Sequence, residues 1–245
     1  MVATLQSDLR ERQHLLIRQL ANVIETNWKK LLNLSTYQIP QNLGYVEGNL
    51  AAEKLIIENH CYQTPQFRKL HLELAQVGDR LDILHCVMFP YPDYDLPIFG
   101  VDLVGSPAGI GAAIVDLSPV NQQGLLSAKY QQVLASLPTI NFAQPRELPP
   151  WGNIFSEFCL FVRPVDRIEE KLFLDRVEQF LTIHCQLATT TFPVISTAKK
   201  AEIREGQRYY CQQQQQNDKT RRVLELALGK TWTDNYIKQM LFDCH

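Results

Sequence analysis

The sequence is poor in the features that most directly announce a function. Its 11 glycines in 245 residues are about 4.5%, under the ~7% of an average protein, and phosphate-cradling loops consume glycine. There is no GxGxxG and no GxxxxGK[ST], so neither a dinucleotide fingerprint nor a P-loop is indicated. The six cysteines, Cys61, Cys86, Cys159, Cys185, Cys211 and Cys244, form no CxxC pair, and HExxH and EF-hand spacings are missing. No metal site is therefore expected from motif. The opening MVATLQSDLRERQ is polar and shows no secretory pattern, so reduced thiols in a cytoplasmic protein are expected. Apolar runs are short, and even LLIRQLANVI carries Arg18, which argues against a membrane span.

What remains is an ordinary soluble composition, 45% hydrophobic and 20% charged with a net charge of −2. That length suits one large domain or two small ones. The small net charge hides a segregation. Residues 61–118 set Arg68, Lys69 and Arg80 against seven carboxylates, a net of −4, whereas residues 196–230 set eight cations against four carboxylates, a net of +4. The basic stretch, with Lys199, Lys200, Arg204, Arg208 and NDKTRR at 217–222, reads as a solvated helix face. A nucleic-acid reading is weak at a pI near 6.3 without a recognised motif.

Periodicity divides the chain. Leu9, Leu16, Leu20, Val23 and Trp28 recur at helical spacing and predict one amphipathic helix over 7–33. Alternation then predicts strands at 53–61, 67–75, 81–89, 97–104 and 110–117, with separators too short for parallel crossovers, hence an antiparallel meander. GSPAGIG at 105–111 reads as a hairpin loop between two of them. One more strand is expected at 156–163, and helices near 122–136, 168–187, 196–215, 217–229 and 233–243. Strands followed by helices make an α+β domain with helices covering an antiparallel sheet.

The strand FRKLHLELA puts Leu70, Leu72 and Leu74 on one face and Lys69, His71 and Glu73 on the other. His85 shares a face with Ile83 and Val87, and Asp102 interrupts the apolar strand IFGVDLV. If the strands pair in order, Glu73, His85 and Asp102 converge from three successive strands. A carboxylate in an apolar strand is costly unless paired or protonated; desolvation would raise its pKa and couple it to His85, which suits proton delivery near neutral pH. Each residue taken alone reads more simply as a solvated or hydrogen-bonded strand residue. Asp82 and Asp116 read as ordinary strand-end residues, and His14, His60, His184 and His245 have no partner evident from spacing.

Five stretches together resemble one family: GYVEG at 44–48, IENHCYQTPQFRKLHLELA at 57–75, LDILHCVMFP at 81–90, RELPPWGNIFSEFCLF at 146–161 and CQQQQQNDKTRRVLE at 211–225. They are similar to the ferredoxin-dependent bilin reductases found in cyanobacteria, over about residues 15–243. The resemblance implies one domain over 1–245, a three-layer α/β/α sandwich with a central antiparallel sheet. It implies biliverdin IXα bound between the sheet and the C-terminal helices, with single electrons from reduced ferredoxin, an iron–sulfur protein, and no bound flavin or metal. The product expected is phycocyanobilin, by four-electron reduction through bilin radicals, the D-ring exovinyl group first and the A-ring side second.

Carried over by motif, Glu73 is the exovinyl proton donor, and His85 with Asp102 protonates the pigment and its radicals. His71 supports that network, Ile83 and Val87 are apolar neighbours of the pigment, and Arg146, Asn217 and Lys219 serve its propionates. Gly111 stands where some relatives have a serine that adds a propionate contact. The basic helical region suits an acidic ferredoxin, and a monomer that binds neither nucleic acid nor membrane is expected. The alternatives are a bilin reductase of different regiospecificity, and a non-catalytic bilin carrier.

Overall fold

The computed structural model describes residues 9–121 and 123–243. Helices α1 (Leu9–Arg12) and α2 (Leu15–Leu31) lead into strands β1 (Ser35–Thr36), β2 (Tyr45–Leu50), β3 (Glu53–Gln63), β4 (Phe67–Val77), β5 (Leu81–Pro90), β6 (Ile98–Ser106) and β7 (Gly109–Ser118). Helix α3 (Ala128–Ala135), β8 (Leu160–Val162), α4 (Arg167–Thr189), α5 (Thr197–Gln214), α6 (Asp218–Leu228) and α7 (Lys230–Tyr236) follow, the last running into a π-helical turn, Ile237–Leu241. The eight strands form one sheet in the order β1-β3-β4-β5-β6-β7-β8, with β2 also on β3. Every pairing is antiparallel.

Period-two alternation explains the layers. Leu70, Leu72 and Leu74, with Leu84, Cys86, Met88, Val101 and Leu103, face α2, α3 and α4 and form one core with Leu16, Leu20, Trp28, Phe173 and Val177. The opposite face packs Leu55, Ile57, Ala75, Val87, Phe89 and Ile98 against Ile203, Tyr210, Leu224, Tyr236 and Met240 from α5 to α7. Each fully buried leucine contributes about 1.5–3 kcal/mol. The result is the expected α+β arrangement, a sandwich with helices on both faces of an antiparallel sheet.

Several boundaries differ from the periodicity. The single helix expected over 7–33 is broken at Gln13–His14, because those residues bind the sheet instead. Gln13 Nε2 donates to Ala75 O and Ile83 O at 2.9 and 3.2 Å, and His14 N donates to Asp82 Oδ2 at 2.8 Å. His14 then caps α2 by accepting from Leu16 N. Asp82 is accordingly a buried anchor rather than a solvated strand end. So is Asp116, whose carboxylate accepts from Ser118 Oγ, Ser156 N and Ser156 Oγ at 2.7, 3.0 and 2.6 Å. That anchoring holds Ser156 out of the ladder and shortens the strand expected at 156–163 to Leu160–Val162.

The β2–β3 hairpin had no sequence signature. Its two-residue turn is Ala51–Ala52, both at positive φ, 49° and 70°, where Asn-Gly is the usual signal. At the other end, Ser7, Asp8, Gln122, Cys244 and His245, which earlier expectations touched, lie outside the described residues.

Candidate active site on the sheet face beneath the C-terminal helices

Register brings the three central candidates into line. Glu73 lies directly opposite His85 on β4 and β5, and His85 directly opposite Asp102 on β5 and β6. Directly opposed side chains share a face within contact distance. His85 Nδ1 and Asp102 Oδ1 are 2.6 Å apart.

The row crosses a gradient of burial. On β4, Lys69, His71 and Glu73 are buried. Toward β7 the same face opens: Ile83, Asp102, Ala112 and Ile114 are part-exposed and Val104 is exposed. The Asp102 side chain keeps 40% of its exposure, so it is not the buried strand carboxylate that was expected, and it is paired with His85. The open strip is a flat, largely apolar floor with one carboxylate in it, bounded by buried proton-bearing groups.

Electrostatics separates the buried groups. Burial works against a charged His85, but the Asp102 carboxylate, by attraction and hydrogen bond, and Glu73 outweigh it and hold the His85 pKa above its ordinary value. Burial pushes the Glu73 carboxyl up, against the opposing charge of His85 and the hydrogen bond it shares with Tyr236. Burial, then the positive charge of Lys69, keeps His71 well below the ordinary imidazole range. One face therefore carries an imidazole whose proton affinity is raised, one whose proton affinity is lowered and a carboxyl whose proton affinity is raised. Such a spread of proton affinities in one place is the pattern of acid–base chemistry.

Residues that spacing did not single out complete the site. Asn59, opposite Glu73 on β3, accepts from His71 Nε2 at 2.7 Å and from the Tyr236 hydroxyl at 2.9 Å. Tyr236 also contacts Glu73 Oε2, and the Phe242 ring stands edge-on to His85 at 5.5 Å. Asn59 carried the same sequence signal as Asp102, a polar residue between apolar Ile57 and Cys61. Tyr236 and Phe242 carried none, because aromatic residues in a helix read as core.

The remaining candidates fall in different places. His71 is fully buried and its ring lies 5.8 Å from that of His85. Ile83 lines the open floor, whereas Val87 is fully buried in the core. Arg146 stands at the β7 edge: its guanidinium donates to Gly111 O at 2.5 Å and lies 5.3 Å above the Phe161 ring, beside the open end of the floor. Asn217 caps α6 by accepting from Thr220 N, and Lys219 is exposed in the first turn. Among the described residues, no hydrogen bond or ion pair joins Asn217 or Lys219 to Glu73, His85 or Asp102. A groove of about 620 Å³ lies between the β6–β7 hairpin and the start of α4, and its lining includes Val104 of the floor and Gly111, the partner of Arg146.

Comparison with known proteins gives the family and the fold. The chain is 57% identical over 232 residues to "Phycocyanobilin:ferredoxin oxidoreductase" of Trichodesmium erythraeum, covering 95% of this chain and 94% of that one. It is 54% identical over 244 residues to the protein of the same name from Synechococcus elongatus, covering 99% and 98%. Its fold matches the crystal structure of tomato phytochromobilin synthase in complex with biliverdin with a TM-score of 0.74 at 16% identity, over 91% of this chain and 81% of that one. The family model described as ferredoxin-dependent bilin reductase matches residues 21–243, and the chain belongs to that family.

Proposed function

We propose that this protein reduces biliverdin IXα to phycocyanobilin with electrons from reduced ferredoxin. The observation that carries the reading is the Glu73–His85–Asp102 row, set where the sheet face passes from buried to open. The names borne by the relatives at 54% and 57% identity over nearly the whole chain support the same product and donor. The reaction adds four electrons and four protons in total. The electrons arrive singly from the iron–sulfur donor, so each addition passes through a bilin radical that the protein must protonate. The D-ring exovinyl group is reduced first and the A-ring side second.

The family resemblance assigns the parts, and the geometry supports several of them. The pigment lies flat on the floor of Ile83, Val104, Ala112 and Ile114, with its reactive atoms toward the carboxylates. His85, held cationic by Asp102, delivers protons to the pigment and its radicals as a general acid, and the exposed edge of Asp102 reaches the substrate directly. Glu73, biased toward its acid form, protonates the exovinyl group. His71, held neutral, orients the network through Asn59. Arg146, at the open end of the floor, pairs with a propionate, and Asn217 and Lys219 serve the other by charge-assisted hydrogen bonding. The chain needs no resident flavin or metal, and works as a cytoplasmic monomer of one domain. Among the described residues no helix is long and apolar enough to cross a membrane.

Anaerobic turnover with biliverdin, ferredoxin and a ferredoxin-reducing system tests this. Phycocyanobilin is the expected product, identified by chromatography. Another reduced bilin would overturn the regiospecificity, and tight biliverdin binding with no reduction would mark a carrier.

A further inference from the structure

One amide determines the hydrogens around Glu73. Asn59 Nδ2 donates to Leu43 O at 2.7 Å, which turns Oδ1 toward His71 and Tyr236. An amide oxygen has no hydrogen to give, so both neighbours donate to it. His71 Nε2, at 2.7 Å, carries a hydrogen, and the one phenolic hydrogen of Tyr236, at 2.9 Å, points at Asn59. Tyr236 also contacts Glu73 Oε2. With its hydrogen on Asn59 the phenol can only accept from Glu73, so the hydrogen in that contact belongs to a Glu73 carboxylic acid. An ionised Glu73 would leave one of the two oxygen–oxygen contacts without a hydrogen. Burial raises the Glu73 pKa in the same direction, and burial, then Glu73, keeps the Tyr236 phenol protonated. The ring itself is held by stacking on Trp232, 4.7 Å between centroids at 16°.

We propose that Tyr236 is a positioning residue for Glu73, a hydroxyl switch between two hydrogen-bonding states. Before transfer its hydrogen lies on Asn59 and its oxygen accepts from the Glu73 acid. After transfer the hydrogen turns onto the new Glu73 carboxylate by rotation about one C–O bond. The inference rests on the reading that Glu73 protonates the bilin. In that step the Glu73 O–H bond breaks and a C–H bond forms on a bilin already reduced by an electron from ferredoxin. The O–H electron pair stays on the carboxylate, and Tyr236 keeps its own proton throughout. The new anion thereby gains a donor at the moment it forms, while the Tyr236–Asn59 contact gives up its hydrogen and Asn59 Oδ1 keeps only the His71 donor.

The test is Tyr236→Phe, which keeps the ring and removes the hydroxyl, in anaerobic single-turnover reduction of biliverdin. Biliverdin affinity and the rate of radical formation are expected to match the parent. Decay of the radical that depends on Glu73 is expected to slow about tenfold or more, the worth of one hydrogen bond to a charged group. The pH limb on which Glu73 loses its proton is expected to move upward, because the anion loses its donor. Asn59→Leu frees the hydroxyl to donate to Glu73 alone, so the same limb is expected to move downward; this variant carries the test if the first fails to fold. In difference infrared spectra, the protonated-carboxyl band lost in Glu73→Gln is expected to shift in Tyr236→Phe. Parental decay and pH limb in Tyr236→Phe, or limbs moving the same way in both variants, would overturn the switch. If Glu73→Gln stalls while Tyr236→Phe does not, the switch alone fails. Parental decay in Glu73→Gln would remove Glu73 as donor and the switch with it.

Discussion

Replacing Asp243 with alanine removes the anion that holds the C-terminal segment onto the sheet. Lys69, fully buried on β4, places Nζ 2.9 Å from Asp243 Oδ1 and 2.8 Å from Met240 O. Arg68 adds Nη1 to Asp243 Oδ2 at 2.9 Å and Nη2 to Asp243 O at 2.8 Å. Burial lowers the Lys69 pKa and Asp243 draws it back up. Removing one partner of a buried pair costs about 3–5 kcal/mol, because the other charge is left unpaired. Arg68 is less buried and retains its bond to the Asp243 carbonyl, so Lys69 sets the loss, expected near 3 kcal/mol. Denaturant unfolding followed by tryptophan fluorescence measures it. In the variant Lys69 holds its proton less readily folded than unfolded, so the deficit is expected to shrink as pH rises. Adding Lys69→Met removes the orphaned cation and is expected to recover most of the loss. A deficit under about 1 kcal/mol, or a double variant as unstable as the two single losses summed, would refute the reasoning. The same segment sets Phe242 against His85 and Tyr236 against Glu73, so Asp243→Ala is also expected to slow reduction.

Asp102→Asn is expected to preserve biliverdin binding, seen as an unchanged visible titration, while lowering turnover about a hundredfold or more, the usual worth of a general acid–base group. In NMR titrations His85 is expected to titrate above its ordinary value in the parent and lower in Asp102→Asn. Because the folded pKa of His85 is raised, the pair stabilises the fold fully below the unfolded value near 6.5, and that contribution is lost as pH rises through the folded pKa. Gly206→Ala places a Cβ 2.0 Å from Val120 O, a backbone contact that no rotamer relieves, and is expected to lower unfolding free energy by at least about 1–3 kcal/mol. Arg146→Ala is expected to weaken biliverdin binding about tenfold, the scale of one charge-assisted hydrogen bond, with little change in turnover at saturating substrate.

Much of the fold was legible because period-two alternation survives wherever one sheet face is buried. The β3–β7 meander and its hairpin at 105–111 follow from it directly. The β2–β3 hairpin was not legible, since Ala51–Ala52 adopts a turn that its residues do not advertise. The break at Gln13–His14 was hidden because its cause, hydrogen bonds to Ala75, Ile83 and Asp82, lies more than sixty residues downstream. For the same reason Asp116 read as a strand end until Ser156 was seen on it.

Sequence by itself determined the antiparallel strands, the polar face of β4 and β5, and the odd carboxylate of β6, because alternation is a local property of the chain. It also carried the motifs that the family shares. Tertiary structure alone decided the rest of the site. Register put Glu73, His85 and Asp102 in one row, and a one-residue slip would have turned any of them to the other face. Helix packing brought Tyr236 and Phe242 down onto that row from more than 150 residues away. Burial then divided like from like: it raised the proton affinity of Glu73, lowered that of His71 and left Asp102 partly in solvent, differences that depend on what covers each residue rather than on its place in the chain.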